Sequence, residues 1–146
     1  MKIAEPLLAE IVEHAQENAK IECCGLVAVN VEPDGSKTAT RVYRTENIHA
    51  SALKFEIEPM ELYRLNEEIE ERGWEIGAIY HSHVRSAPYP SQTDIGFAAG
   101  WPGLEWLIVG LTSGAEPEVR SYLIEGAEVR EVPVDARPAS TPNEPS

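Results

Sequence analysis

Cysteine is scarce in this sequence: Cys23 and Cys24 are the two present, and they are neighbours. Adjacent cysteines make a poor structural disulfide and give no CxxC spacing for a metal, so a disulfide framework and a thiolate zinc ribbon are both excluded. Long apolar runs are missing too, and no stretch approaches the roughly 20 residues of a membrane helix. The opening residues, Met1-Lys2-Ile3-Ala4-Glu5-Pro6, carry neither the apolar stretch nor the cleavage site of a secretory signal. The expected compartment is therefore the cytoplasm. Basic residues are few. Twelve Lys and Arg stand against 25 Asp and Glu, a net charge of −13. Such a chain repels phosphates, so nucleic acid is not an expected partner. Two common zinc signatures are also absent: the H-E-x-x-H helix of many metalloproteases, and the H-x-E with P-C-x-x-C of the deaminases.

What is there fits one domain. A chain of 146 residues with 42% hydrophobic and 25% charged residues can build a single core. Pro6 suits the first turn of a helix, and Leu7, Leu8, Ile11, Val12, Ala15 and Ala19 follow at helical spacing towards Lys20. Cys24 to Val31 reads as a strand ended by the turn Pro33-Asp34-Gly35, with Thr38 to Glu46 as its hairpin partner. Pro59 opens a second helix with the stripe Leu62, Leu65, Ile69, closed by Gly73. Ile76 to His81 is nearly all apolar, which predicts a strand buried in mid-sheet. Ser91-Gln92-Thr93-Asp94 has the form of a helix N-terminus, leading into a short helix that ends around Gly100, and strands follow over Leu104 to Leu111, Val119 to Ile124 and Val129 to Val132. This order predicts an α/β fold with a mixed, mostly antiparallel sheet flanked by helices. The domain is expected to span residues 1–134. Residues 135–146, rich in Pro, Ala, Ser and Thr, are expected to form a disordered tail.

The segment that carries chemistry runs from His81 to Asp94: HSHVRSAPYPSQTD. Side chains two apart on a strand share a face, so His81 and His83 can reach one ion together. Asp94 sits on the first turn of the next helix, and the loop between is long enough to bring its carboxylate back. Two imidazoles and one carboxylate suit Zn2+, and three protein ligands leave a fourth position for water, the pattern of a catalytic rather than structural site. Zinc lowers the pKa of such a water to roughly 7. A nearby carboxylate then moves its proton, and a hydroxyl or amide must face the charge that develops on the attacked carbonyl. Ser91 is placed for that donor, although S-x-x-D is also a helix capping box. An isolated H-x-H would mean no more than a surface pair.

The run H-S-H, seven residues, then S-x-x-D resembles the metal motif of the JAMM (MPN-plus) metallopeptidases. That family's other element is an upstream glutamate at the start of the first strand, just before a Cys-Gly or similar pair, and Glu22-Cys23-Cys24-Gly25-Leu26 matches it in order and context. The resemblance implies the JAMM/MPN (cytidine-deaminase-like) fold. It implies His81, His83 and Asp94 as zinc ligands, Glu22 as general acid/base and Ser91 as stabiliser of the tetrahedral intermediate. Read from spacing alone, Glu46, Glu56 and Glu75 compete with Glu22. Within the family, Ile79-Tyr80-His81-Ser82-His83 followed by Tyr89-Pro90-Ser91-Gln92-Thr93-Asp94, and the downstream strand Arg120-Ser121-Tyr122, resemble short bacterial members that act on ubiquitin-like sulfur-carrier proteins and remove a cysteine built on the carrier's C-terminal glycine. The stretches Asn47 to Pro59 and Gly100 to Glu105 leave little room for the insertions with which eukaryotic relatives clamp ubiquitin chains. The expected partner is thus a carrier with a Gly-Gly tail. An isopeptidase that frees a ubiquitin-like modifier from lysine, and a non-catalytic interaction module, are the alternatives. Whether the chain forms a homodimer stays open.

The remaining residues receive plainer readings. Cys23 and Cys24 are read as packing residues, and His14 and His49 as surface histidines. Arg85 and Ser86 flank the motif as a solvated loop that is able to touch substrate. Tyr89, Trp101 and Trp106 are candidates to line a groove for an extended peptide. Ser82 faces away from the histidines and is given no catalytic part.

Overall fold

The computed structural model describes residues 1–111 and 116–139. Its elements run β1 (Lys2–Ala4), α1 (Glu5–Glu17), β2 (Cys24–Val31), β3 (Lys37–Thr45), α2 (Pro59–Glu71), β4 (Glu75–His83), α3 (Gln92–Ala98), β5 (Glu105–Gly110), β6 (Glu118–Glu125), β7 (Glu128–Val132) and β8 (Asp135–Arg137). The eight strands form one sheet in the order β7-β6-β5-β4-β2-β3-β1-β8. The ladders β2/β3, β2/β4, β5/β6 and β6/β7 are antiparallel, whereas β4/β5, β1/β3 and β1/β8 are parallel. The expected mixed α/β architecture is therefore the one found. β4 lies in mid-sheet with its last seven residues buried, as its apolar run predicts.

Helices cover both faces because the strands are apolar on both. α1 lies on one face and buries Ile11 and Ala15 against Val27, Val42, Ala78, Tyr80, Leu107 and Val109. α2 and α3 lie on the other, where Leu65, Ile69 and Ala98 meet Leu26, Ile79, Trp106, Ile108 and Tyr122. Alternation along β4 sends Ala78, Tyr80 and Ser82 to the α1 side and Ile79, His81 and His83 to the α2/α3 side. One close approach locks the two layers together. The ring of Tyr80 lies over Gly25, where an added Cβ would come within 2.3 Å of it. Its hydroxyl reaches His14 Nδ1 on α1 at 2.7 Å.

Several boundaries differ from expectation. α1 stops at Glu17 rather than near Lys20 because Asn18 leaves the helix and its side chain accepts from Lys20 N. β4 runs two residues beyond His81, since its parallel ladder with β5 continues to the pair His83–Gly110. The tail expected from Asp135 is corrected at its start: Asp135–Arg137 form β8 and pair with β1. Backbone pairing asks little of side-chain composition, so a polar, proline-flanked tripeptide still makes a ladder. Residues 140–146 of that expected tail lie outside the described residues.

Candidate metal centre

Two elements of different origin converge at the end of β4. The strand presents His81 and His83 on one face, and α3 brings Asp94 to them from the opposite side of the loop. His81 Nε2 lies 3.1 Å from His83 Nε2. One oxygen, Asp94 Oδ2, lies 3.1 Å from the first ring and 3.2 Å from the second. Two ring nitrogens and a carboxylate oxygen this close are bridged either by shared ring N–H protons or by a cation. A tetrahedral ion with bonds of about 2.0–2.1 Å spaces its ligand atoms about 3.3 Å apart. The three atoms fit a zinc-sized cation with almost no movement.

The loop that joins the strand to the helix is pinned at three points. His83 Nδ1 meets Ala87 O at 2.8 Å, which as an N–H donor leaves Nε2 free for a metal. Tyr122 on β6 donates its hydroxyl to Pro88 O at 2.5 Å. Gly110 leaves room for the Pro88 ring, which an added Cβ would approach within 2.8 Å. α3 then begins with a reciprocal capping box, in which Ser91 Oγ accepts from Asp94 N at 3.1 Å and Asp94 Oδ2 accepts from Ser91 N at 2.8 Å. The cap therefore aims Asp94, and among the described residues the hydroxyl proton of Ser91 has no acceptor.

Glu22 reaches the same place from the start of β2. It is 4% exposed, and one of its oxygens lies with a nitrogen of each histidine inside a 4.8 Å spread. Two carboxylates thus face one pair of rings. Asp94 is the nearer, and Glu22 stands back from it. Burial raises the Glu22 carboxyl to about 7, helped by the Asp94 charge and opposed by His83. At Asp94 burial pushes the same way, but the bonds to His81 and His83 outweigh it and hold that carboxyl below its ordinary range. Desolvation lowers His81, whereas at His83 the bonds to Asp94 and Ala87 O overcome desolvation and raise it. His81 Nδ1 is buried without a partner among the described residues, so only the contacts at Nε2 orient this ring electrostatically. Phe55 stacks on it with centroids 4.4 Å apart.

Beside the centre lies a groove of about 260 Å3, lined by Phe55, Ile57, Leu62, Phe97, Trp101 and Trp106 among others. Trp101 and Trp106 are where an aromatic-lined groove was expected. Tyr89 is not; it packs on Tyr122 with centroids 5.5 Å apart. Arg85 and Ser86 are exposed on the loop. Ser82 is buried on the other face, where its Oγ accepts from Cys23 N at 2.8 Å and ties β4 to the residue after Glu22. His14 is half-buried rather than a surface residue, because it bonds the Tyr80 hydroxyl. His49 Nε2 meets Glu56 Oε1 at 2.9 Å. Both cysteines are buried and free, as packing residues should be, and burial raises their thiols to about 11 for Cys23 and about 12 for Cys24. Sequence reasoning missed Phe55, Ile57, Asn47 and Tyr122. The alternation Phe55-Glu56-Ile57-Glu58 was a legible signal for an extended wall; the other two carry none.

The profile described as prokaryotic homologs of the JAB domain matches residues 4–125. The chain belongs to this family. The desampylase of Haloferax volcanii is 33% identical to this JAB-family chain over 113 residues, covering 74% of it and 78% of the relative. The CysO-cysteine peptidase of Mycobacterium tuberculosis is 29% identical over 133 residues, covering 91% and 88%. A protein of Desulfitobacterium hafniense solved in solution superposes with a TM-score of 0.82 at 26% identity, over 95% of this chain and 94% of that one. A structure described as a JAMM metalloprotease-like zinc site in the proteasome and signalosome shares the fold, with a TM-score of 0.58 at 19% identity over 94% and 97% of the two chains.

Proposed function

We propose that this JAB-family chain is a zinc-dependent peptidase that hydrolyses the amide after the C-terminal glycine of a ubiquitin-like sulfur-carrier protein. The observation that carries the reading is the convergence of His81, His83 and Asp94 within 3.2 Å of one another, with Glu22 beside them. His81 and His83 through Nε2 and Asp94 through Oδ2 would hold the ion. Bound there, zinc supplies Lewis acidity to a water and to the carbonyl that is attacked.

The chain's own groups do the rest. Glu22, whose carboxyl burial raises in the metal-free site, stands beside the two rings that would hold the ion. It takes a proton from the attacking water and returns it to the departing amine. Ser91 offers its free hydroxyl proton to the oxygen on which negative charge grows. The carrier tail lies extended along Phe55–Ile57. Among the described residues, the N–H groups of Phe55 and Ile57 have no backbone partner, while Glu56 O is taken by Ile48 N and Glu56 N by Asn47 Oδ1. A segment with one free backbone side can accept an added strand, and the aromatic groove beside it keeps water away.

A purified carrier whose terminal glycine is amide-linked to cysteine should be cut, and chelator or Glu22→Gln should abolish the release. Undiminished cleavage by Glu22→Gln would remove the acid/base from this scheme. The similarity to the desampylase favours a second reading of the leaving group, the side chain of a lysine. Cleavage of an isopeptide-linked conjugate but not of the cysteine conjugate would select it. If the native protein takes up no zinc at all, a non-catalytic interaction module is the better description.

A further inference from the structure

Asn47 follows β3 by two residues, and its side chain is 5% exposed. Its Nδ2 donates to Glu22 O at 3.1 Å and to Lys54 O at 2.9 Å. Its Oδ1 accepts from His49 N at 3.1 Å and from Glu56 N at 3.2 Å. A side-chain amide has two donors and two lone pairs, so its whole capacity is used, and all of it on backbone. Turning the amide over would set like against like at all four bonds.

Three of these four partners belong to two functional parts. Glu22 O is the backbone of the residue whose carboxylate faces the histidines. Lys54 O and Glu56 N flank Phe55, which stacks on His81 and walls the groove. The segment between is folded tightly. Glu22 N bonds Ser51 O at 2.8 Å, Ala50 N bonds Asn47 O at 3.0 Å and Ile48 N bonds Glu56 O at 3.1 Å. Ala50 takes φ +45°, a left-handed conformation that a non-glycine residue holds only when its surroundings impose it.

We infer that Asn47 is a positioning residue that sets the place of Glu22 and the register of the Phe55–Ile57 wall through one amide. It touches neither substrate nor metal. It couples the proton-moving group to the surface along which the substrate lies, so that a tail seated on the wall presents its last carbonyl within reach of Glu22. The kinetic part of this inference rests on the proposed function; the structural part does not.

The test compares Asn47→Asp and Asn47→Ala with a stability control, Ile124→Val, which trims the core on β6. Asn47→Asp keeps both acceptors and turns a carboxylate towards Glu22 O and Lys54 O. With the cysteine-linked carrier, kcat should fall at least tenfold and KM rise at least tenfold in both Asn47 variants. Zinc affinity by chelator competition should stay within twofold, because no ligand is attached to the amide. Ile124→Val should leave kcat and KM unchanged at equal loss of melting temperature. Kinetics within twofold of the parent in both Asn47 variants would overturn the inference. If the parent itself cuts no conjugate, amide hydrogen exchange decides. Asn47→Ala should speed exchange at Glu22, His49 and Glu56 at least tenfold while Leu26 and Val27 stay protected. Uniform acceleration across all five amides would reduce Asn47 to a general contributor to stability and sink the proposal.

Discussion

Removing a single oxygen from Tyr122 tests how the metal loop is held. Tyr122 is 1% exposed, and its hydroxyl meets Pro88 O at 2.5 Å in a buried part of the loop. Tyr122→Phe keeps the ring against Tyr89 but strands that carbonyl. A buried acceptor left without its partner costs about 1–3 kcal/mol. For a chain of this length the unfolding entropy is about 0.3 kcal/mol/K, so the melting temperature should fall by about 3–10 °C. A second consequence follows along the backbone. Ala87 O, next to Pro88, fixes the ring of His83 through Nδ1. Loss of an outer support of this kind typically lowers metal affinity about 10–100-fold. Differential scanning calorimetry of the metal-free protein and zinc competition against a chromogenic chelator measure the two effects separately. A melting point within 1 °C of the parent together with unchanged zinc affinity would refute the claim that this bond anchors the loop. A thermal loss with intact affinity would show that the His83–Ala87 contact is held by Gly110 and Pro88 packing instead.

Ser91→Ala should separate capping from catalysis. Loss of an N-cap costs about 1 kcal/mol of stability, whereas loss of a donor to a developing oxyanion lowers kcat about 10²–10³-fold. Thermal and kinetic measurements on one variant read both, and an unaltered kcat would confine Ser91 to its capping box. The two thiols should resist alkylation at pH 8 in the folded protein and react once it is unfolded, since burial holds Cys23 near 11 and Cys24 near 12. The sign of the linkage follows. The unfolded chain ionises its thiols from about pH 8.5 while the folded chain keeps them neutral, so their contribution to stability is complete below that pH and is lost as pH rises towards 11–12. Rapid modification of either native thiol at pH 8 would contradict this burial.

Much of the site was written in local order. The histidines are two apart, so any strand through them places both on one face. Ser91 and Asp94 are three apart, so any helix starting there caps itself with the pair. The apolar run before His81 required a buried strand, and the proline and glycine punctuation marked both longer helices. Two short strands were illegible, because β1 and β8 have three residues each and are stabilised by backbone pairing with partners far along the chain. The turn of Asn18 out of α1 and the extra two residues of β4 depended on neighbours as well.

Tertiary structure alone decided how separate pieces meet. Periodicity gives each residue a face, but a distance between β2, β4 and α3 depends on the order of strands and on how loops are held. It took the sheet to bring Glu22 beside β4, since Cys24 pairs with His81 across the ladder. The loop pinned by Tyr122 and Gly110 brings Asp94 Oδ2 to within 3.2 Å of both rings. Asn47 carries no motif, and its bonds reach residues 2 to 25 positions away, so its use became visible only once the backbone around it had closed. Side-chain types and spacings are local and can be read along a chain, whereas convergence is a property of packed layers.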